Sequence, residues 1–336
     1  LDTCKVLAVE TSCDETAIAI VENGKRVLAN KVLSQIEIHK VFGGVVPEVA
    51  SRHHLEGILP LVEEALEEAN CTLDEIECIA VTNGPGLVGA LLVGVSVAKS
   101  LAYGLNKPLV PVNHLAGHIY ACFLDNPVEF PLVALIVSGG HTDLIYMDKH
   151  LSFEIMGQTR DDAAGEAFDK IARAMGLGYP GGPVVDKRAQ KGDASAIGFP
   201  RVFLEKGSFD FSFSGLKSAV LNFLHNSEQR QEAINVDDVC ASFQQAVVDV
   251  LVDKTIECAK FKGVDNVIIA GGVSANSGLR KSIEKRCNEE GLNLFRPSLS
   301  LCTDNAAMIA TVGYYLYKAG VRADLELNAY ASMPLG

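Results

Sequence analysis

"KVLAVETSCDETAIAIV" at residues 5–21 and "LVALIVSGGHTDLIYM" at residues 132–147 decide how this chain is read. Each is an apolar run, a short turn of small polar residues and a second apolar run, the pattern of a hairpin with buried strands. Their turns share Ser12 with Ser138 and Thr16 with Thr142, each pair 126 residues apart. Outward from each hairpin the same order repeats. A third strand-like stretch follows ("RVLANKVLS", "LSFEIMGQT"), then an acidic amphipathic helix ("LEGILPLVEEALEEA", "DDAAGEAFDKIARAM"). Later in each half come a buried strand, a glycine turn and a helix, "CIAVTNGPGLVGALLVG" and "NVIIAGGVSANSGLRKS". One βββαβα plan is therefore expected twice. The expected lobes are 1–112 and 113–336, with an irregular insertion at about 192–236 and a C-terminal tail that can return to the first lobe.

At 336 residues the chain exceeds a usual single core, which agrees with two domains of roughly 150 residues each. A composition 48% hydrophobic and 21% charged, with 30 glycines, describes a soluble, loop-rich α/β protein. The longest apolar stretch, Gly86 to Leu105, contains Lys99 and several small residues, and the first ten residues carry Asp2 and Lys5 without a signal-peptide core. No membrane span is expected, and a cytoplasmic protein follows. Nine cysteines without a CxxC pair read as reduced, buried thiols. A net charge of -13 excludes a generally basic, DNA-coating protein. Local basic clusters remain at Arg280, Lys281, Lys285 and Arg286, and at Lys187, Arg188 and Lys191, each open to reading as a solvated helix face.

The turns carry the functional expectation. Short Ser, Thr and Gly turns expose successive backbone N–H groups, and a helix N-terminus behind a glycine turn adds partial positive charge. Two such turns, one per lobe, suggest a nucleotide in an interdomain cleft. "NHLAGHIYA" at 113–121 adds His114 and His118, four apart on one helical face, the spacing of zinc proteases. Leu115 stands where such a protease keeps its glutamate, so that chemistry lacks its general base. A metal there needs a third ligand from elsewhere, and its work would be to polarise a ligand oxygen. Asp162, Glu166 and Asp169 fall on one helical face, their repulsion to be relieved by Arg160, Lys170 or Arg173. Small residues at Gly89, Ala90, Gly94, Ser96 and Ala98 permit close helix packing, and that surface is open to reading as a subunit interface.

The blocks "VETSCDET", "GGVVPEVASRHH", "TNGPGLVGAL", "NHLAGH", "VSGGHT", "DDAAGEAFDK", "GYPGGP", "GGVSANSGLR" and "CTDNAAMIA" occur in this order from Val6 to about Gly320. Together they resemble the tRNA threonylcarbamoyladenosine transferase family. The resemblance implies an α/β fold of the duplicated actin-like ATPase, sugar kinase and Hsp70 type, two RNase H-like lobes around a cleft. It implies transfer of a threonylcarbamoyl group from threonylcarbamoyl-adenylate to N6 of the adenosine next to the anticodon in tRNAs reading ANN codons. Carried onto this chain, it gives His114, His118 and Asp304 as ligands of one divalent metal, iron favoured over zinc. Asp169, Gly182, Asp186 and Asn276 become the nucleoside pocket, and Ile136, Val137, Ser138, Gly139 and Gly140 wrap the acyl-phosphate. ATP or AMP can occupy the same cleft.

Asp14, Glu15 and His141 lie on the two hairpin turns and are the candidates for base and donors. Each also has a plainer reading: Asp14 and Glu15 as turn residues, His141 as a buried hydrogen-bonding histidine, and Thr303 or Asp304 as a helix cap. Implied partners are tRNA, a shorter TsaB-like paralogue, a TsaE-like ATPase and a separate synthase for the adenylate. The alternatives are an ATP-dependent small-molecule kinase or ATPase of the same fold, then a metalloprotease or a metal-stabilised binding protein.

Overall fold

Strands β1 (Lys5–Glu10) and β2 (Glu15–Glu22) pair antiparallel from Lys5↔Glu22 to Glu10↔Ala17, forming the first hairpin. The structure, a computed structural model, describes residues 3–205 and 207–335. β3 (Arg26–Ser34) lies outside β2, while β4 (Cys78–Gly84) and β5 (Leu109–Asn113) extend the sheet on the other side of β1. The order is β3-β2-β1-β4-β5, with the first two pairings antiparallel and the last two parallel. β4 is buried throughout, as a central strand covered on both faces requires, whereas the edge strand β3 is largely exposed. The helices of this region are α1 (Ile36–Lys40), α2 (Pro47–Ala69), α3 (Val88–Leu105) and α4 (His114–Asp125).

The second hairpin is β6 (Leu132–Val137) and β7 (Thr142–Met147), followed by β8 (Glu154–Gln158) and the helices α5 (Ala164–Ala174), α6 (Gly181–Ala189), α7 (Ser214–Gln229) and α8 (Val236–Lys262). Strand β9 (Asn266–Ala270), helix α9 (Ser277–Glu290) and strand β10 (Asn293–Phe295) complete it. Its sheet order, β8-β7-β6-β9-β10, repeats the first sheet with the same senses of pairing. The duplicated plan is therefore real. Gly271 takes a positive φ of 88° where its backbone meets the carbonyl of Val137, a closeness that a side chain would prevent. Helix α10 (Ala306–Lys318) comes last.

The chain divides into two compact units, Leu1–Pro127 with Pro297–Gly336, and Val128–Arg296. The expected boundary after residue 112 lies before α4, but α4 packs along α10 inside the first unit. In that unit α2 and α3 cover one sheet face, where Ile58, Leu61, Val95 and Ala98 meet Leu7, Val9, Ile18 and Ile79. α10 crosses the sheet's strands. Gly313 permits the approach, since a Cβ there would stand 2.6 Å from that of Ala80. In the second unit α5 and α8 cover β6 and β7, with Phe168 and Phe243 edge to face at 5.1 Å over Leu135 and Leu144.

Two local expectations are corrected, and one helix is added to them. The segment 192–236 is not wholly irregular, because α7 lies within it. α8 runs for 27 residues and is buried on most of its circumference, so no amphipathic stripe announces it. α5 begins at Ala164, whose N–H donates to the Thr142 hydroxyl, so Asp162 precedes the helix instead of sharing its face. α3 is the one helix among the described residues with the length and mean hydropathy, 1.6, of a membrane span. It packs against α2 and β4. All nine cysteines are free thiols, eight of them buried.

Candidate active site and metal centre

Helix α4 starts where it does because Asn113 caps it: the side-chain oxygen accepts from the N–H of Leu115 at 2.9 Å and of Ala116 at 3.4 Å. The next residue is His114. One turn later comes His118, and the two rings stand edge to face with centroids 4.7 Å apart. Just ahead of α10, the Asp304 carboxylate approaches Nε2 of His114 at 3.4 Å and Nε2 of His118 at 3.3 Å. Asn305, not Thr303 or Asp304, caps α10, accepting from the N–H of Met308 at 3.1 Å. That leaves Asp304 to the histidines. One ligand atom from each of the three residues lies within 4.8 Å of the other two.

The residues fit a divalent cation. Both ring nitrogens of His118 are buried with no hydrogen-bond partner, and the 3.3 Å approach of Asp304 lacks hydrogen-bond alignment. A buried, unsatisfied imidazole is costly, and a cation held at Nε2 would satisfy one of its two nitrogens. Two imidazoles and one carboxylate suit iron and zinc alike. Burial opposes ionisation of Asp304, but the two histidines more than offset it and hold its carboxyl far below the usual range. Burial likewise opposes protonation of His114, and Asp304 and Glu10 overcome it, raising that imidazole well above its ordinary value.

The Ser12–Glu15 turn lies in the same unit. Asp14 and Glu15 are both buried, and the Glu15 carboxylate accepts from the Ser34 hydroxyl at 3.1 Å. Burial, then the nearby charges of Asp304 and Asp14, pushes Glu15 up to about 9. His54 supports this turn from α2: one ring nitrogen lies 2.9 Å from the Cys13 carbonyl, the other 2.7 Å from the Thr16 hydroxyl. The glycine turn at 83–86 does not offer the open N–H groups expected of it. The N–H of Leu87 donates to the Ser12 carbonyl and that of Gly86 to the Ala331 carbonyl.

In the second unit Ser138 and His141 close the β6–β7 turn: the Ser138 N–H donates to the His141 carbonyl and the His141 N–H to the Ser138 hydroxyl. Gly139 and Gly140, between them, have open space where a Cβ would be. Ile136 and Val137 end β6 and are fully buried. Asp169, on α5, accepts from the N–H of Gly181 at 2.7 Å, at the first turn of α6, where Gly182 lies. Asp186, on α6, accepts from the Ser277 hydroxyl at 2.7 Å. Asn276 caps α9 by accepting from the N–H of Leu279 and donates to Gln244 at 2.7 Å. The candidate nucleoside residues thus tie α5, α6 and α9 to one another. Lys170 bonds both Asp162 and Glu166, which relieves the acidic cluster.

The model of the TsaD family, tRNA N6-adenosine threonylcarbamoyltransferase, matches residues 26–311. A protein of that name from Staphylococcus saprophyticus is 60% identical over 334 residues, covering 99% of this chain and 97% of its own. The chain belongs to the TsaD family. A namesake from Staphylococcus carnosus is 59% identical over 98% of this chain and 96% of its own. Among solved structures, HypF from T. kodakarensis superposes with a TM-score of 0.66 at 15% identity, covering 94% of this chain and 48% of that one. That likeness is one of fold, the duplicated actin-like ATPase, sugar kinase and Hsp70 type.

As a TsaD-family transferase, the chain holds its candidate residues in two sets. The first unit gathers His114, His118 and Asp304 with Asp14 and Glu15; the second carries His141, Ile136 to Gly140, Asp169, Gly182, Asp186 and Asn276. Sequence reasoning missed Glu10. This carboxylate ends β1, is fully buried, and lies 3.0 Å from Nδ1 of His114. A single charged residue closing the apolar run "VLAVE" was the only local signal of it.

Proposed function

We propose that this chain transfers the threonylcarbamoyl group of threonylcarbamoyl-adenylate to N6 of the adenosine 3′ of the anticodon in tRNAs that read ANN codons. The observation that carries this is 60% identity to a tRNA N6-adenosine threonylcarbamoyltransferase across 99% of the chain. In the reaction, N6 attacks the carbamoyl carbon and a C–N bond forms. The C–O bond to phosphate breaks, AMP leaves with the electron pair, and the N6 proton passes to a base. An adenine amine is a weak nucleophile because its lone pair is delocalised, so orientation, proton removal and charge stabilisation must be supplied.

Asp14 and Glu15 are assigned the base, and His141 a donor to the carbamoyl oxygen. Asp169, Gly182, Asp186 and Asn276 bind the nucleoside of the adenylate, where a carboxylate suits the ribose hydroxyls. The backbone from Ile136 to Gly140 wraps the acyl-phosphate. His114, His118 and Asp304 would hold a divalent metal, iron favoured, which would polarise a ligand oxygen. The partners of the reaction are a TsaB-like paralogue, a TsaE-like ATPase and a separate synthase that makes the adenylate; a tRNA substrate puts it in the cytoplasm. The test is nucleoside mass spectrometry of tRNA from cells depleted of this protein. Loss of threonylcarbamoyladenosine is expected, and an unchanged level overturns the assignment.

A further inference from the structure

The end of β1 places a carboxylate behind the metal-ligand cluster rather than in it. Oε2 of Glu10 lies 3.0 Å from Nδ1 of His114 and accepts from the Thr82 hydroxyl at 2.6 Å, while Oε1 accepts from the N–H of Ser12 at 2.5 Å. The Ser12 hydroxyl stands 3.2 Å from the same His114 nitrogen. Glu10 is fully buried and His114 nearly so. A carboxylate held on both oxygens has one orientation, and it meets the ring nitrogen facing away from Asp304.

We propose that Glu10 is a positioning residue for the metal: by accepting from the Nδ1 N–H of His114, it fixes the ring with Nε2 turned toward Asp304 and His118 as the nitrogen left to meet a cation. The proposal rests on the ligand set given above. An imidazole can carry its proton on either nitrogen, and only the one without it can bind a cation. A buried acceptor on Nδ1 keeps the proton there, so that Nε2 is the nitrogen that gives its proton up to a cation, and it raises the basicity of Nε2. His118 has no such partner on either nitrogen among the described residues, so His114 is the ligand whose ring is set in advance. Thr82, on β4, and the Ser12 N–H in turn hold Glu10, which joins two central strands and the catalytic turn to one metal ligand.

The test is metal affinity of the purified full chain, with no tRNA or adenylate present. Co2+ is titrated against a competing chelator, and its visible absorption is recorded. Glu10→Gln keeps the size and neutralises the charge; it is expected to weaken Co2+ binding by about ten- to a hundredfold and to alter the absorption bands. Thr82→Val, which removes one bond to Glu10 and leaves the carboxylate, is expected to weaken it less. His114→Ala is the reference for a lost ligand. Wild-type affinity and an unchanged spectrum in Glu10→Gln overturn the proposal, even if its melting temperature falls, because that pattern marks a purely structural carboxylate. Stoichiometric metal retained by His114→Ala overturns the ligand set as well. Neither result bears on whether the chain modifies tRNA, which product analysis reads separately.

Discussion

Glu15 sits among carboxyl groups, and burial and the charges of Asp304 and Asp14 push it up to about 9, which favours its protonated form at neutral pH. A cation held by Asp304 would offset one of those charges and so favour the ionised form that a base requires. Glu15→Ala and His141→Ala are each expected to lower transfer by roughly a hundredfold or more, with nucleotide affinity changed far less. Rates within a few-fold of the parent would show that these residues only shape their turns. Asp143 offers a different test, in the second unit. Its Oδ2 is buried without a hydrogen-bond partner, and burial pushes its carboxyl up to about 6 from an ordinary 3.8. The folded state therefore holds this proton more tightly than the unfolded state does. The penalty is absent below the unfolded value, grows as pH rises, and is complete above about 6. Asp143→Asn is expected to raise the melting temperature near neutral pH, by roughly 2–4 °C per kcal/mol of penalty removed, and to lose the advantage in acid. An equal shift at both pH values in thermal melts would refute the titration as its cause.

The helix that carries both histidines is capped by a residue with two sets of contacts. Asn113 caps α4 with its side-chain oxygen and, with its amide nitrogen, donates to the carbonyls of Met333 at 3.4 Å and Pro334 at 3.1 Å. Asn113→Ala is expected to cost about 1–2 kcal/mol, at the upper end for a cap because a second contact goes with it. Metal should also be held more loosely. Thermal melts and elemental analysis check both, and a variant that melts like the parent removes the cap from the account. At this scale much was legible in the sequence: apolar runs on either side of small polar turns marked both hairpins, and the four-residue spacing of His114 and His118 marked α4. The misses have physical causes. α8 is buried around most of its surface and shows no stripe; α5 starts late because a hydroxyl from β7 caps it; and Gly86 and Leu87 spend their N–H groups on the Ala331 and Ser12 carbonyls.

For the molecule as a whole, a net charge of -13 must meet a polyanion. The basic clusters are already partly spent: Arg188 pairs with Asp237 at 2.9 Å, Arg286 with Asp253 at 2.5 Å and Lys285 with Glu289 at 3.8 Å. Phosphate contacts dominate nucleic-acid affinity and weaken with salt in proportion to their number. The isolated chain is therefore expected to bind tRNA weakly, with a shallow salt dependence, and to turn over little when given the adenylate. Adding the paralogue and the ATPase should restore activity. Tight, steeply salt-dependent binding with full turnover by the single chain would refute this. The sequence by itself determined the duplicated strand plan, the paired histidines and the family, because these are written in local periodicity and in motif blocks. The sequence allowed a C-terminal tail to return to the first lobe; only the tertiary structure decided that the chain leaves the first unit at Pro127 and returns at Pro297. That return brings Asp304 to histidines far earlier in the chain and lets α10 settle on the sheet at Gly313 and Ala80. It also fell to the structure to set Glu10 behind His114. Contacts between residues so distant depend on which faces pack, and no local pattern encodes that.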